Sequence, residues 1–195
     1  MSRKRAAELF QMANHDARGA RQRLLKGLKD RDPLVRHVSA IELAKRWPGE
    51  LTEASIRELL ETLGRDEYLE PSPLDDDYAE ATATEEDGGE IGQDIVVAFA
   101  KLSCGQADFV IPRLLEFWSF DCEFYELGHA LLSLSFPPSD RAVDPDTLSG
   151  RQQRVLEALV AQPLIWRNDG PWGSTLARYG LPLTLSKMLK FLGYR

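Results

Sequence analysis

The side chains able to do chemistry are unevenly spread along this chain. Carboxylates are densest at Asp75, Asp76 and Asp77, and again at Glu85, Glu86, Asp87 and Glu90. Paired carboxylates work as acid and base when a dry, shaped site separates their pKa values. These stand instead in "EPSPLDDDYAEATATEEDGGE", residues 70–90, a stretch with two prolines, two adjacent glycines and no apolar periodicity. A solvated charge run, exposed and mobile, is the expectation. Neither run has the spacing of an EF-hand calcium loop. His15, His37 and His129 are scattered and make no ligand spacing. Cys104 and Cys122 sit within helical patterns and are too few for a disulfide framework or a zinc site. They read as reduced, partly buried thiols. No catalytic residue, metal or cofactor is expected, and the chain reads as non-enzymatic.

Charge distribution is the stronger signal. Residues 1–46 hold 12 of the 24 Lys and Arg against five acids, a balance of +7, so the net −7 leaves −14 for the rest. Residues 66–90 carry 11 acids and no Lys or Arg. At about 100° per residue, Arg18, Lys26 and Lys29 fall within roughly an 80° arc of one helix, with Arg21 nearby. Such a patch suits phosphates or an acidic protein. The aromatic interleaving used to stack single-stranded nucleic acid is absent there. Two plainer readings are a solvated basic face, or the acidic stretch folding back onto it.

Aromatic residues gather in "WRNDGPWGSTLARYGLP", residues 166–182, where Trp166, Trp172 and Tyr179 lie among three glycines and two prolines. Aromatics in such a turn-rich setting either plug the end of a core or anchor a partner.

The elements that must position these residues are helices. Apolar residues recur at intervals of three and four in Ile56, Leu59, Leu60 and Leu63, in Ile111, Leu114, Leu115 and Trp118, and in Leu127, Leu131 and Leu134. Val155, Leu156 and Leu159 continue the rule, as do Leu185, Met188, Leu189 and Leu192. Buried positions expected from this spacing include Val35, Val38, Leu59, Leu115, Leu127 and Leu156. No alternating segment appears, so the fold is all-α. At 195 residues with 43% apolar and 28% charged composition, the chain suits one domain or two small ones. No apolar run approaches the roughly 20 residues that span a bilayer. The basic opening lacks the apolar core of a secretion signal. A cytoplasmic protein without a membrane partner is the expectation.

The segment "DRDPLVRHVSAIEL", residues 30–43, reads as a corner between two helices. Pro33 suits a first helical turn, where its missing N–H has no intrahelical partner, and Asp30 or Asp32 can accept from free N–H groups there. The apolar spacing of Val35, Ser39 and Leu43 has weaker echoes in Ile91, Ile95 and Phe99 and in Phe124, Gly128 and Leu132. The corner resembles a HEAT repeat through Asp30, Asp32, Pro33, Val35 and Arg36. At the echoes, Gly92 and Tyr125 stand in place of the arginine.

The resemblance implies a short right-handed α-solenoid of antiparallel helix pairs over residues 1–135, interrupted by an acidic insertion at about 66–90. Residues 136–195 would form a C-terminal helical cap of the same domain. Corners are expected near 30–35, 84–91 and 119–124, with Arg36 bridging to an acid on the neighbouring repeat. The function implied is a protein-binding adaptor or regulatory module. Nucleic-acid binding through Arg18, Arg21, Lys26 and Lys29 is the alternative.

Overall fold

The computed structural model describes residues 2–15, 17–65, 73–83, 91–120, 125–166 and 172–194. Among them every regular element is a helix, so the all-α expectation holds. No helix among the described residues is long and apolar enough to cross a membrane. The chain divides into two compact units, Met1–Leu102 and Ser103–Arg195. The boundary expected at 135 falls inside the second unit, at the end of a helix.

The first unit comprises α1 (Ser2–Asn14), α2 (Ala20–Gly27), α3 (Pro33–Arg46), α4 (Glu53–Arg65), α5 (Pro73–Thr82) and α6 (Ile91–Lys101). Helix α3 packs against all five others. Every residue from Leu34 to Ala44 except Arg36 is buried. A helix surrounded in this way must be apolar on every side or must pair each polar group it carries. Its three buried polar side chains are paired. Ser39 Oγ donates to the Val35 carbonyl at 2.7 Å. The His37 ring nitrogens lie 2.5 Å from the Pro33 carbonyl and 2.5 Å from Thr62 Oγ1 of α4. Glu42, only 2% exposed, meets Lys45 at 3.4 Å and Arg46 at 3.5 Å.

Two helices here escape the sequence spacing, and they pack on each other. Helix α1 buries Ala6, Phe10 and Ala13, and α5 buries Tyr78, Ala81 and Thr82. The acidic stretch is therefore not wholly a solvated run. Residues 73–82 form a helix whose tyrosine is 1% exposed and donates to Asp94 Oδ2 of α6 at 2.7 Å. Asp77 and Glu80 on α5 pair with Arg3 on α1. The rest of the expected insertion, 66–72 and 84–90, lies outside the described residues, as do the corner expected at 84–91, save its last residue, and most of that at 119–124. In a solenoid each repeat touches only its neighbours. The α1–α5 contact joins helices separated in sequence by three others.

The second unit comprises α7 (Ile111–Phe120), α8 (Tyr125–Ser135), α9 (Gly150–Val160), α10 (Trp172–Arg178) and α11 (Leu185–Phe191). Helices α7, α8 and α9 pack pairwise around Leu114, Leu127, Leu131 and Leu156, all buried. Leu115, expected in this core, is only half-buried, because the face is centred one residue earlier on Leu114. Val35, Val38, Leu59, Leu127 and Leu156 are buried as expected. Ser149 and Gln152 cap α9 reciprocally, each side chain accepting from the other's backbone N–H. Cys104 is exposed rather than partly buried, and Cys122 lies outside the described residues.

Two outcomes follow from this packing. Burial pushes the Tyr78 hydroxyl pKa far above its usual value of 10, and the charges of Asp94 and Glu42 act in the same direction. Ionisation is then easier in the unfolded chain. The tyrosine's contribution is fully present below about 10 and is lost as pH rises above it. Tyr78→Phe should cost about 1–3 kcal/mol near neutrality. Denaturant titrations should show that gap narrowing in alkali; a constant gap would mean that the hydroxyl is not held as described. In the second unit, a Cβ on Gly128 would collide with the rings of Trp172 and Trp118. Gly128→Ala should therefore lower stability by about 1–3 kcal/mol in thermal unfolding.

Candidate functional site

The corner before α3 sets the geometry of one candidate surface in the first unit. Asp32 adopts an extended backbone, φ −84° and ψ 122°, and its Oδ1 accepts from Leu34 N at 3.0 Å, so it is the N-cap. Pro33 takes the first helical position. Asp30 Oδ1 accepts from Asp32 N at 3.0 Å, which shapes the turn one step earlier. Arg36 then locks the turn. Its Nη1 donates to the Asp30 and Arg31 carbonyls at 2.9 and 3.0 Å, and its Nε donates to Glu58 Oε1 of α4 at 2.7 Å. The acidic partner expected for Arg36 thus sits on the next helix along the chain. Val35 points inward and is 2% exposed.

Asp30 has a second role. Its Oδ2 accepts from Arg5 Nη1 of α1 at 2.8 Å, which ties the corner to the first helix. Between α1 and α2 this leaves a groove of about 240 Å³. Its apolar lining is Leu9, Met12 and Val35. Arg23 and Lys26 line it from α2, and Glu8 lines it from α1. The α2 wall comes close because Gly27 has no side chain: a Cβ there would run into Ser39 Oγ of α3. Arg23 Nη1 lies 3.4 Å from Met12 Sδ, a weak contact that lays the guanidinium along the apolar lining.

The three cations expected on one arc, Arg18, Lys26 and Lys29, and Arg21 near them are divided by the backbone. Gly19 has φ 85°, in the left-handed region, and α2 begins only at Ala20. Helical phase is broken between Arg18 and the rest, so the 100° spacing cannot be carried back to it. Arg18 and Arg21 line a second, open depression with Gln22 and Leu25. Arg21 is paired there with Glu50. Lys26 lines the α1–α2 groove, and Lys29 lies beyond the helix end, exposed. Among the described residues, no ion pair engages Arg18, Lys26 or Lys29. The folding-back of acids onto the basic region occurs at Arg3, whose pairing with Glu80 and Asp77 raises its pKa. Arg23 was not singled out by the sequence spacing. Its position three residues before Lys26, on the same helical face, is the signal that finds it.

The aromatic residues that the sequence offers as core plug or partner anchor are largely core. Trp172 is 7% exposed and meets Trp118 and Tyr125 edge-on, with ring centroids 6.3 and 5.1 Å apart. Tyr179 is 1% exposed, faces His129 with centroids 6.4 Å apart, and has its pKa raised by burial first. Trp166 is half-buried, and its Nε1 donates to the Leu159 carbonyl at 3.1 Å. Indole and phenol groups of this size satisfy their polar tips inside a core, and here they knit the second unit together. Of the two readings for these side chains, the structure favours the core.

No group of three or more His, Cys, Asp or Glu side chains among the described residues is arranged to hold a metal ion. No protein-family model matches the chain, and comparison with curated proteins and with solved structures finds no match. The α1–α2 groove and the divided basic surface of α2 are therefore the features from which function must be argued. If Arg36 holds the corner that shapes the groove, Arg36→Ala should leave the two carbonyls and Glu58 without their donor. A loss of about 1–3 kcal/mol in chemical denaturation is expected.

Proposed function

We propose that the first unit is a non-enzymatic protein-binding module whose HEAT-like corner shapes the α1–α2 groove. In this reading the groove takes an amphipathic, acid-bearing helix or extended segment of a partner protein. The observation that carries it is the coincidence, in one groove, of an apolar lining with an exposed cation, Lys26, that no ion pair engages among the described residues. Amphipathic helices bind such grooves by their apolar face, and a flexible methionine adapts the lining to different side chains. Charges at the rim steer the acidic flank and fix its register.

Nucleic-acid binding is supported only by Arg18, Lys26 and Lys29, on and around α2, which no ion pair engages among the described residues. Against it, Arg3, Arg5 and Arg21 are engaged by carboxylates of the chain itself, and the total charge is −7. A duplex contact through three cations would give a log–log salt slope of only about −3.

Affinity purification with mass spectrometry, comparing the wild type with Met12→Asp and with Lys26→Glu, tests the proposal. Proteins recovered by the wild type should be depleted in both variants. With a recovered partner, dissociation constants should rise about tenfold or more for Met12→Asp, the equivalent of 1.4 kcal/mol. Fluorescent duplex and single-stranded oligonucleotides should bind weakly at low salt. Submicromolar, salt-sensitive binding lost on changing Arg18, Arg21, Lys26 and Lys29 to alanine would establish the nucleic-acid reading instead.

A further inference from the structure

The α1–α2 groove holds a group whose chemistry the docking of a peptide does not use. The chain has three methionines. Met188 is 0% exposed in the second unit, and Met1 lies outside the described residues. Met12 alone is both described and half-buried, and it lines the groove beside Leu9 and Val35. A thioether reacts with an oxidant in proportion to its exposure, so the groove sulfur and the core sulfur differ sharply in reach.

A cation waits at that sulfur. Arg23 Nη1 stands 3.4 Å from Met12 Sδ, at an exposed contact that joins α2 to α1 across the groove. No ion pair engages this guanidinium among the described residues. A thioether is a weak acceptor and offers a charged donor little. Its sulfoxide is polar, and a bond from a guanidinium to the added oxygen is charge-assisted. Neither side chain has to move for that bond. An S–O bond of about 1.5 Å and an N–H···O distance of about 2.9 Å close a triangle on the observed 3.4 Å.

We propose that Met12 is an oxidation site for small hydroperoxides, and that Arg23 captures the resulting sulfoxide across the groove. A sulfur lone pair attacks one oxygen of hydrogen peroxide; the S–O bond forms as the O–O bond breaks. Sulfur loses two electrons to the departing oxygen. That oxygen takes the proton of the transferred one and leaves as water. An apolar, flexible part of the lining thereby becomes a polar, chiral one. Arg23 is drawn to it, and a wall-to-wall bond crosses the space that a partner's apolar face would fill. Methionine sulfoxide reductases return the thioether, so the step is reversible. Its consequence for binding rests on the proposed function of the groove; the oxidation and the capture do not.

Peptide mass spectrometry of the full chain during treatment with dilute hydrogen peroxide tests the first step. Met12 should convert about tenfold faster than Met188, or more. The capture is read in side-chain NMR spectra, with the Arg23 Nε–H signal assigned by its loss in Arg23→Lys. Oxidation should shift that signal, and reductase treatment should return it. Met12→Leu keeps the exposed Cys104, so peroxide should not move the Arg23 signal in that variant. For a partner shown to use the groove, the dissociation constant should rise about tenfold or more on oxidation. Equal oxidation of Met12 and Met188, an Arg23 signal indifferent to Met12 oxidation, or the same shift in Met12→Leu would overturn the proposal. So would a groove partner that binds the oxidised chain equally well. Proteins recovered equally by the wild type and Met12→Asp would instead overturn the groove reading and the consequence for binding, while oxidation and capture stand or fall on the spectra.

Discussion

A carboxylate buried in the middle of a helix that is packed on all sides is the constraint around which the first unit is arranged. Glu42 is 2% exposed. A charge so placed must be neutralised by neighbours within a few ångströms, because an isolated buried ion costs more than folding can supply. Lys45 and Arg46 come from the last turn of α3, where cations also suit the negative end of the helix dipole. Neither stops at Glu42. Lys45 Nζ continues to Asp94 Oδ1 of α6 at 2.6 Å, and Arg46 Nη2 donates to Asn14 Oδ1 of α1 at 2.9 Å. Asp94 then accepts from Tyr78 of α5. One buried carboxylate thereby fixes where three other helices must lie around α3. Only a hydrogen-bonded chain of this kind lets the acid-rich α5 join an apolar core, since Tyr78 brings ring and hydroxyl together and its neighbours Asp77 and Glu80 are met by Arg3.

Legibility in the sequence tracked how local each interaction is. The corner at residues 30–36 was readable because Asp32, Pro33 and Arg36 act on backbone within a few positions of themselves. Helices α4, α7, α8 and α9 were readable from rows of leucine, isoleucine and valine. Helices α1 and α5 were not. Their buried faces are small residues, alanine or threonine, with one aromatic each, Phe10 or Tyr78, and the surrounding charges swamp so small an apolar signal. Each hides its face against the other and against α3. A tertiary contact of that sort leaves little trace in either segment alone. The displacement from Leu115 to Leu114 has the same origin: spacing admits both, and the neighbours on α8 and α9 choose.

The candidate surface was legible in its charge and not in its geometry. Counting residues placed Arg18, Arg21, Lys26 and Lys29 together, but a single left-handed glycine, Gly19, changes the direction of the chain between Arg18 and α2. Glu50, Asp77 and Glu80 then remove cations from the free surface, from positions 29 to 77 residues away along the chain. Ion pairs across such separations depend on the fold, and no window of sequence contains them. The aromatic cluster taught the converse lesson. Glycines and prolines around Trp172 and Tyr179 left core and anchor both open, and what decides for the core lies elsewhere in the chain: Gly128 on α8 clears the space into which the Trp172 ring packs.

Charge asymmetry along a sequence is therefore a poor map of the field that a partner meets. Much of the positive excess in residues 1–46 is spent against carboxylates of the same unit, and much of the acidity of α5 is matched in return. What is left to act on a partner is the charge that is both exposed and unpaired, and it gains specificity only where apolar area lies beside it. That coincidence occurs in the first unit where Lys26 meets Leu9 and Met12.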